Sequence, residues 1–168
     1  LNADELKAEG RYEVTLKLPP VPRSGAYELR YKVLANGDRG TAQFYLGTDK
    51  SKLAPTRIPI DLTLSDPSKT LWFSDSDDDD YNAEKDKQMR NNGIMKGAEG
   101  IQNSTATERA TRNTLRHIVS RQFVEADKTY YLRIKSVLDS DRKEFYMDYL
   151  EWVSKEVYDN PVEPEDIW

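Results

Sequence analysis

Short segments in which apolar and polar side chains alternate constrain the fold of this chain most strongly. In residues 11–18, RYEVTLKL, every second side chain from Tyr12 to Leu18 is apolar. Residues 26–33, AYELRYKV, and 41–47, TAQFYLG, repeat the pattern. A period of two is typical of strands that bury one face. The chain is therefore predicted to form β-sheets.

Turn signals separate these segments and favour antiparallel pairing. The prolines of PPVPRSG at 19–25 cannot donate ladder hydrogen bonds. Asn36-Gly37 tolerates the positive φ of a hairpin turn. On the same criteria, further strands are predicted at 58–64, 70–73 and 113–124. The alternation in the last of these is imperfect, which indicates a bulge or burial on both faces.

Residues 129–153, TYYLRIKSVLDSDRKEFYMDYLEWV, close the pattern. Two runs rich in aromatic and β-branched residues flank the polar segment DSDRKE, which predicts an antiparallel hairpin. The total is then about eight strands. That number predicts an all-β, antiparallel jelly-roll β-sandwich.

The alternation is interrupted between residues 74 and 112. YNAEKDKQMRNN at 81–92 contains good helix formers and is followed by Gly93, a residue type that often ends helices. We therefore predict one domain over 1–168, with an insertion at 74–112 made of one short helix and a long loop. An acidic tail follows at 154–168.

Composition disfavours several functions. The formal net charge is −5, whereas nucleic-acid binding requires a concentrated basic face. Cysteine is absent, which excludes disulfides, thiolate nucleophiles and zinc–thiolate sites. No apolar run approaches the roughly 20 residues of a membrane-spanning helix. We expect neither a nucleic-acid partner nor direct membrane insertion.

Catalytic motifs are also missing from the sequence. There is no Gly-x-Ser-x-Gly nucleophile elbow, and Gly93, Gly97 and Gly100 follow a predicted helix rather than link a strand to a helix. His117 is the only histidine, and no partner for general-base catalysis can be named. The prediction is a protein that is not an enzyme.

The segments GRYEVTLKLPPVPRSGAYELRYKV, GTAQFYLG and IPIDL resemble the strands of carbohydrate-binding jelly rolls of the galactose-binding-like superfamily. The ending at 129–153 resembles the closing hairpin of that superfamily, with its acidic core at Asp148–Glu151. The resemblance covers roughly residues 10–64 and 113–153. It implies a binding scaffold.

The whole chain, including DKQMRNNGIMKG and KEVYDNPVEPEDIW, is similar to the carboxy-terminal module of Bacteroidota surface lipoproteins, often joined to fasciclin-type domains. This similarity implies an extracellular, non-catalytic module, tethered to the outer membrane within a larger protein. Its expected function is glycan binding in nutrient capture or attachment. The alternative is a protein-interaction or spacer module that binds neighbouring domains and no sugar.

Glycan recognition requires exposed aromatic rings beside amide and basic groups, because sugars present an apolar C–H face and a rim of hydroxyls. Residues with this chemistry lie in or next to the insertion. The candidate ligand-binding residues are Trp72, Tyr81, Arg90, Asn91, Asn92 and Lys96. For Trp72 the competing interpretation is core packing.

Structural calcium is the only candidate cofactor. Asp75, Asp77 and Asp79 offer clustered carboxylates, but Asp80 and Asp86 stand where an EF-hand requires Gly and Glu. The alternative is a solvated loop that precedes the helix.

Asp148 is a further candidate metal ligand. It matches the closing-strand acid that binds calcium in some members of the superfamily. The alternative is an ion pair with Arg133 or Lys135 across the hairpin.

Overall fold

A computed structural model of the chain describes residues 6–34, 40–62, 79–96, 114–137 and 144–162. The strand predicted at 70–73 lies outside these residues, as do positions 74–78 and 97–112 of the predicted insertion and 163–168 of the tail. The described strands are β1 (Leu6–Ala8), β2 (Glu13–Lys17), β3 (Gly25–Leu34), β4 (Thr41–Gly47), β5 (Ala54–Pro55), β6 (Ile60–Asp61), β7 (Ile94–Lys96), β8 (Thr114–Val124), β9 (Tyr131–Ser136), β10 (Phe145–Met147) and β11 (Leu150–Ser154). The helices are α1 (Asp79–Asn91) and α2 (Lys155–Tyr158).

Two antiparallel sheets form the body of the protein. The front sheet has the strand order β11-β3-β8-β7. The back sheet has the order β2-β9-β4-β5, and β6 also pairs with β4. A small third sheet pairs β1 with β10. The predicted all-β sandwich is confirmed, with eleven strands in the described chain rather than about eight.

The core lies between the two main sheets. Tyr31 of the front sheet packs on Phe44 of the back sheet, with ring centroids 5.3 Å apart, and Phe145 contacts both rings. Leu132 and Ile134 of β9 are fully buried against them. Burying an apolar side chain of this size contributes about 1.5–3 kcal/mol. The alternating positions predicted from the sequence therefore supply the core.

The predicted hairpin at 129–153 is wrong. β9 pairs with β2 and β4 in the back sheet. β10 pairs with β1, and β11 pairs with β3 in the front sheet. The two arms have the composition of hairpin strands, but composition cannot distinguish a turn within one sheet from a crossing between two sheets.

The irregular alternation of residues 113–124 has the cause that the sequence indicated. Between β3 and β8 the register shifts, with Leu29 opposite Ser120 and Arg30 opposite Ile118, so Val119 is the extra residue of a bulge. Residues 116–119 are all buried. Both features proposed for this strand, the bulge and the burial on two faces, are therefore confirmed.

The predicted helix is confirmed as α1, and part of the predicted insertion is integrated into the sandwich. Directly after α1, Gly93 has φ +76° and donates its N–H to the carbonyl oxygen of Arg90 at 2.9 Å. The chain then forms β7, which pairs with β8 as an added strand of the front sheet. Among the described residues, no helix is long and apolar enough to cross a membrane.

Candidate functional site

The second face of β3 carries charged side chains that are buried. Tyr27, Leu29 and Tyr31 point into the core, and the intervening Glu28 and Arg30 are both 0% exposed. This burial is unexpected for charged residues on the outer face of a sandwich. It arises because Arg90 of α1 reaches this face and α2 packs against β3.

Glu28 is the centre of an ion-pair cluster. Its Oε2 accepts hydrogen bonds from Nε and Nη2 of Arg30 at 2.8 and 2.5 Å. Its Oε1 accepts hydrogen bonds from Nε and Nη2 of Arg121, the former at 2.9 Å. Arg121 lies directly opposite Glu28 in the β3–β8 register, so the pairing follows from the strand alignment.

Arg90 attaches α1 to this cluster. Its Nη2 lies 3.3 Å from Oε1 of Glu28 and donates to the carbonyl oxygen of Tyr158 in α2 at 3.0 Å. Its Nη1 lies 3.3 Å from the sulfur of Met95. One guanidinium group thus joins both helices to the front sheet, which makes Arg90 a structural residue as well as a surface one.

An open cleft lies between the end of α1, the outer face of the front sheet and α2. We call it the α1–α2 cleft, and its volume is about 670 Å³. It is lined by Ala26, Arg90, Asn91, Arg121, Gln122, Phe123, Lys155, Tyr158 and Asp159. The two helices and the outer face of the front sheet therefore form a concave surface.

The lining of the α1–α2 cleft combines aromatic rings with hydrogen-bonding groups. Phe123 is 64% exposed, although it belongs to a strand. The guanidinium of Arg121 lies 5.0 Å from the ring centroid of Tyr158, which fixes both groups at the wall. Asn91, at the end of α1, adds an amide-bearing residue to the lining. This is the chemistry that sugars and other polar ligands require.

A smaller pocket of about 310 Å³ shares Arg90, Asn91 and Arg121 with the α1–α2 cleft and extends it towards Arg57. Arg57 comes from the back-sheet side, where its carbonyl oxygen accepts a hydrogen bond from Nε2 of Gln43 at 2.8 Å.

The Arg57 guanidinium spans the gap to the front sheet. Its Nη1 donates to the carbonyl oxygen of Ile118 at 3.3 Å. It lies so close over Gly93 that a Cβ at that position would collide with it. Glycine is thus favoured at residue 93 by its positive φ, and a Cβ there would in addition displace the Arg57 guanidinium.

His117 lies beneath this region and is packed among buried side chains. Its ring stacks on Tyr31 at 5.2 Å between centroids and is almost fully buried. Burial, reinforced by the positive charge of Arg57, lowers the pKa of His117 to about 4. The imidazole is therefore neutral at physiological pH.

The structure brings together only part of the predicted ligand-binding set. Arg90 and Asn91 line the α1–α2 cleft. Asn92 is exposed, but its amide donates to the carbonyl oxygen of Gln88 at 2.8 Å and caps the helix. Tyr81 lies in α1 and Lys96 in β7, and their side chains are outside what the structure describes. Trp72 is outside the described residues.

The metal-ligand candidates do not converge in the described part of the chain. Asp75 and Asp77 lie outside it, and Asp79 is the first residue of α1, with its side chain not described. Among the described residues, no group of three or more histidine or acidic side chains could hold an ion.

Asp148 is paired, but not with the cations proposed from the sequence. Its Oδ2 lies 2.8 Å from Nζ of Lys32. The expected partners, Arg133 and Lys135, lie on β9 and both pair with Glu13. The wrong partners result from the wrong hairpin. Because β9 and β10 belong to different sheets, Asp148 does not face Arg133 or Lys135.

Sequence reasoning missed most of the cleft. The sequence patterns place Glu28, Arg121 and Phe123 only in strands, and Lys155 and Tyr158 only in an acidic tail. The alternation of Glu28 and Arg30 on the polar face of a strand gave one signal, since opposite charges two residues apart on one face can pair. Phe123 gave another, because it falls among polar residues at the end of a strand.

The sequence comparisons add no relative from which a function could be transferred: no family model matches the chain, and the search of curated proteins finds no match.

Proposed function

We propose that this chain is a non-catalytic glycan-binding module that serves nutrient capture or attachment at a cell surface, with the α1–α2 cleft as its binding site. The observation that carries the proposal is the exposed ring of Phe123 in an open cleft beside amide and guanidinium donors. Aromatic rings stack on the C–H face of a sugar, and the donors pair with its hydroxyls.

The resemblance of residues 10–64 and 113–153 to galactose-binding-like jelly rolls supports the same function. The similarity to surface lipoprotein modules supports an extracellular location, with the module tethered to the outer membrane through a larger protein. A sandwich is a scaffold on which loops and attached helices supply the site. In this chain the attached elements are α1 and α2.

The proposed ligand contacts differ from the set predicted from the sequence. Arg90 and Asn91 remain in it, now joined by Arg121, Phe123 and Tyr158. The contributions of Trp72, Tyr81 and Lys96 stay predictions. We leave Asn92 out of the set, because its amide is engaged in capping α1.

Affinity electrophoresis in gels containing single polysaccharides tests the proposal. At least one polysaccharide should retard the protein, and Phe123→Ala should abolish the retardation. Val137→Ala is the matched control, because it truncates another exposed apolar side chain, one that does not line the α1–α2 cleft.

Two outcomes would contradict the proposal. No retardation by any polysaccharide in a broad panel would leave the alternative, a protein-interaction or spacer module. Equal retardation of the wild-type protein and Phe123→Ala would place sugar binding elsewhere on the chain.

A further inference from the structure

We propose that the α1–α2 cleft selects acidic polysaccharides, whose carboxylate or sulfate groups bind its basic side chains. This inference rests on the proposed glycan-binding function and specifies the class of glycan. It concerns the charge of the cleft, whereas the function rests on its aromatic and amide groups.

The charged residues that line the α1–α2 cleft are mainly basic, although the net charge of the whole chain is negative. The sequence has a formal net charge of −5. The α1–α2 cleft is nevertheless lined by Arg90, Arg121 and Lys155, with Asp159 as its acidic lining residue. Arg57 adds a further cation in the adjoining pocket. Basic groups concentrated in a concave surface raise the local concentration of anionic ligands.

The buried carboxylate beneath the cleft contacts two of its basic lining residues, Arg90 and Arg121. Glu28 is fully buried and is contacted by the guanidinium groups of Arg30, Arg90 and Arg121. One carboxylate thus faces three guanidinium groups within this set. Arg30 also lies 3.7 Å from Oε1 of Glu151, and Arg121, the most exposed of the three, extends from the cluster towards the ligand side.

Arg121 is positioned to contact a ligand. Its side chain is 56% exposed even though its Nε and Nη2 bond to Glu28. A guanidinium has more N–H donors than this one carboxylate oxygen uses, and its planar fork matches carboxylate and sulfate groups. Glu28 and the Tyr158 ring hold it in place, so little side-chain entropy is lost on binding.

Lys155 provides a second cation that is independent of the buried cluster. It lies in α2, is mostly exposed, and has Asp159 at 3.6 Å as a weak surface partner. A variant of Lys155 can therefore test the charge of the cleft without removing a contact of Glu28.

The experiment measures the retardation of the full chain by three polymers in gels: polygalacturonate, which carries carboxylates, chondroitin sulfate, which carries sulfate esters as well, and neutral dextran. One or both acidic polymers should retard the protein more than dextran does. The comparison of the two acidic polymers identifies the anionic group. Raising NaCl from about 50 to 500 mM should weaken the binding, because salt screens charge pairs.

Arg121→Gln and Lys155→Gln should each weaken binding to the acidic polymer roughly tenfold, as loss of a charged hydrogen bond does. Lys128→Gln is the matched control, since Lys128 is a similarly exposed lysine paired with an acidic side chain and does not line the α1–α2 cleft. Thermal melting of each variant verifies the fold. Because Lys155 makes no contact with Glu28 in the described network, its variant decides the test if Arg121→Gln is unstable.

The outcomes separate the two proposals. Retardation by neutral polysaccharides alone, or equal binding of wild type and Lys155→Gln, would overturn the charge selection and leave glycan binding intact. No retardation by any polysaccharide would overturn both. Binding of poly-glutamate as tightly as of the acidic polysaccharides would also overturn the inference, because it would indicate an acidic peptide partner.

Discussion

The two faces of β3 are both buried, but by different means. On the inner face, Tyr27, Leu29 and Tyr31 contact apolar groups of the back sheet and the core. On the outer face, Glu28 and Arg30 are equally inaccessible and pair with each other; Glu28 also pairs with Arg90 of α1 and Arg121 of β8. The inner face tolerates no charge, whereas the outer face requires opposite charges to be present together. The outer face borders the α1–α2 cleft, which Ala26 of β3 lines.

The largest expected effect on stability comes from changing Glu28, the centre of the ion-pair cluster on the outer face. Glu28→Gln removes the carboxylate shared by Arg30, Arg90 and Arg121 and leaves buried cations without it. The free energy of unfolding should fall by about 3–5 kcal/mol. Urea unfolding followed by tryptophan fluorescence measures the loss.

Glu13→Gln is the control for that variant. Glu13 also pairs with two basic side chains, Arg133 and Lys135, but it is half exposed. The free energy of unfolding of Glu13→Gln should fall by no more than about 1 kcal/mol. Equal losses for Glu28→Gln and Glu13→Gln would show that burial of the Glu28 cluster does not matter.

The next prediction concerns the inner face of β3, where the imidazole of His117 from β8 stacks on Tyr31. The pKa falls from 6.5 in the unfolded chain to about 4 in the folded one. Between these values the unfolded chain binds the proton more strongly, so stability is full above pH 6.5 and falls as the pH approaches 4. The slope attributable to His117 is at most about 1.4 kcal/mol per pH unit.

His117→Phe keeps an aromatic ring on Tyr31 and removes the proton. Comparing urea unfolding of this variant and the wild type from pH 7.5 to 4 isolates the histidine, because the carboxylates contribute to both proteins. The difference in stability between the two should change with pH only below about 6.5. A constant difference would contradict the neutral, buried imidazole.

A smaller effect tests how α1 is attached beside the outer face. Gly93→Ala should cost about 1–2 kcal/mol, because a Cβ disfavours the positive φ. It would also displace the Arg57 guanidinium. Gly10→Ala is the control, with a similar φ of +72° and no neighbour within 4 Å of the added Cβ. Gly93→Ala should therefore cost more by urea unfolding, and an equal cost would exclude a role for the Arg57 contact.

The smallest expected effect concerns the edge of the outer face, where Lys32 pairs with Asp148 at 2.8 Å. Because Lys32 is buried and Asn keeps an oxygen that accepts its hydrogen bond, Asp148→Asn should lower stability by about 1 kcal/mol. Melting temperatures of the wild type and the variant, with added calcium and with EDTA, should differ by the same amount. A difference that appears only with calcium would restore the metal site suggested by the resemblance.

The sequence predicts the inner face of β3 well and the outer face poorly. The period of two locates Tyr27, Leu29 and Tyr31 because hydrophobic burial leaves a periodic pattern. Even the disturbed pattern around Val119 correctly indicated a bulge. Burial of Glu28 and Arg30 leaves no such pattern, since it depends on a helix that begins some 50 residues later in the chain. The α1–α2 cleft is likewise a product of tertiary contacts, and α2 is too short to stand out in a proline-rich tail.

The same limit explains the wrong hairpin. A short polar segment between two β-rich runs predicts a turn, and local patterns do not specify which sheet each run joins. The partner of β11 is β3, more than 100 residues away. That distance also led to the incorrect partners for Asp148.

The position of β3 between β8 and β11 has a consequence for synthesis on the ribosome. Its first partner spans Thr114–Val124 and its second Leu150–Ser154. While the chain emerges, Glu28 and Arg30 must therefore stay hydrated, and the apolar side of β3 has no complete sheet to join. Pairings of such sequence separation form slowly. We expect the front sheet to assemble late, after most of the described chain has left the exit tunnel.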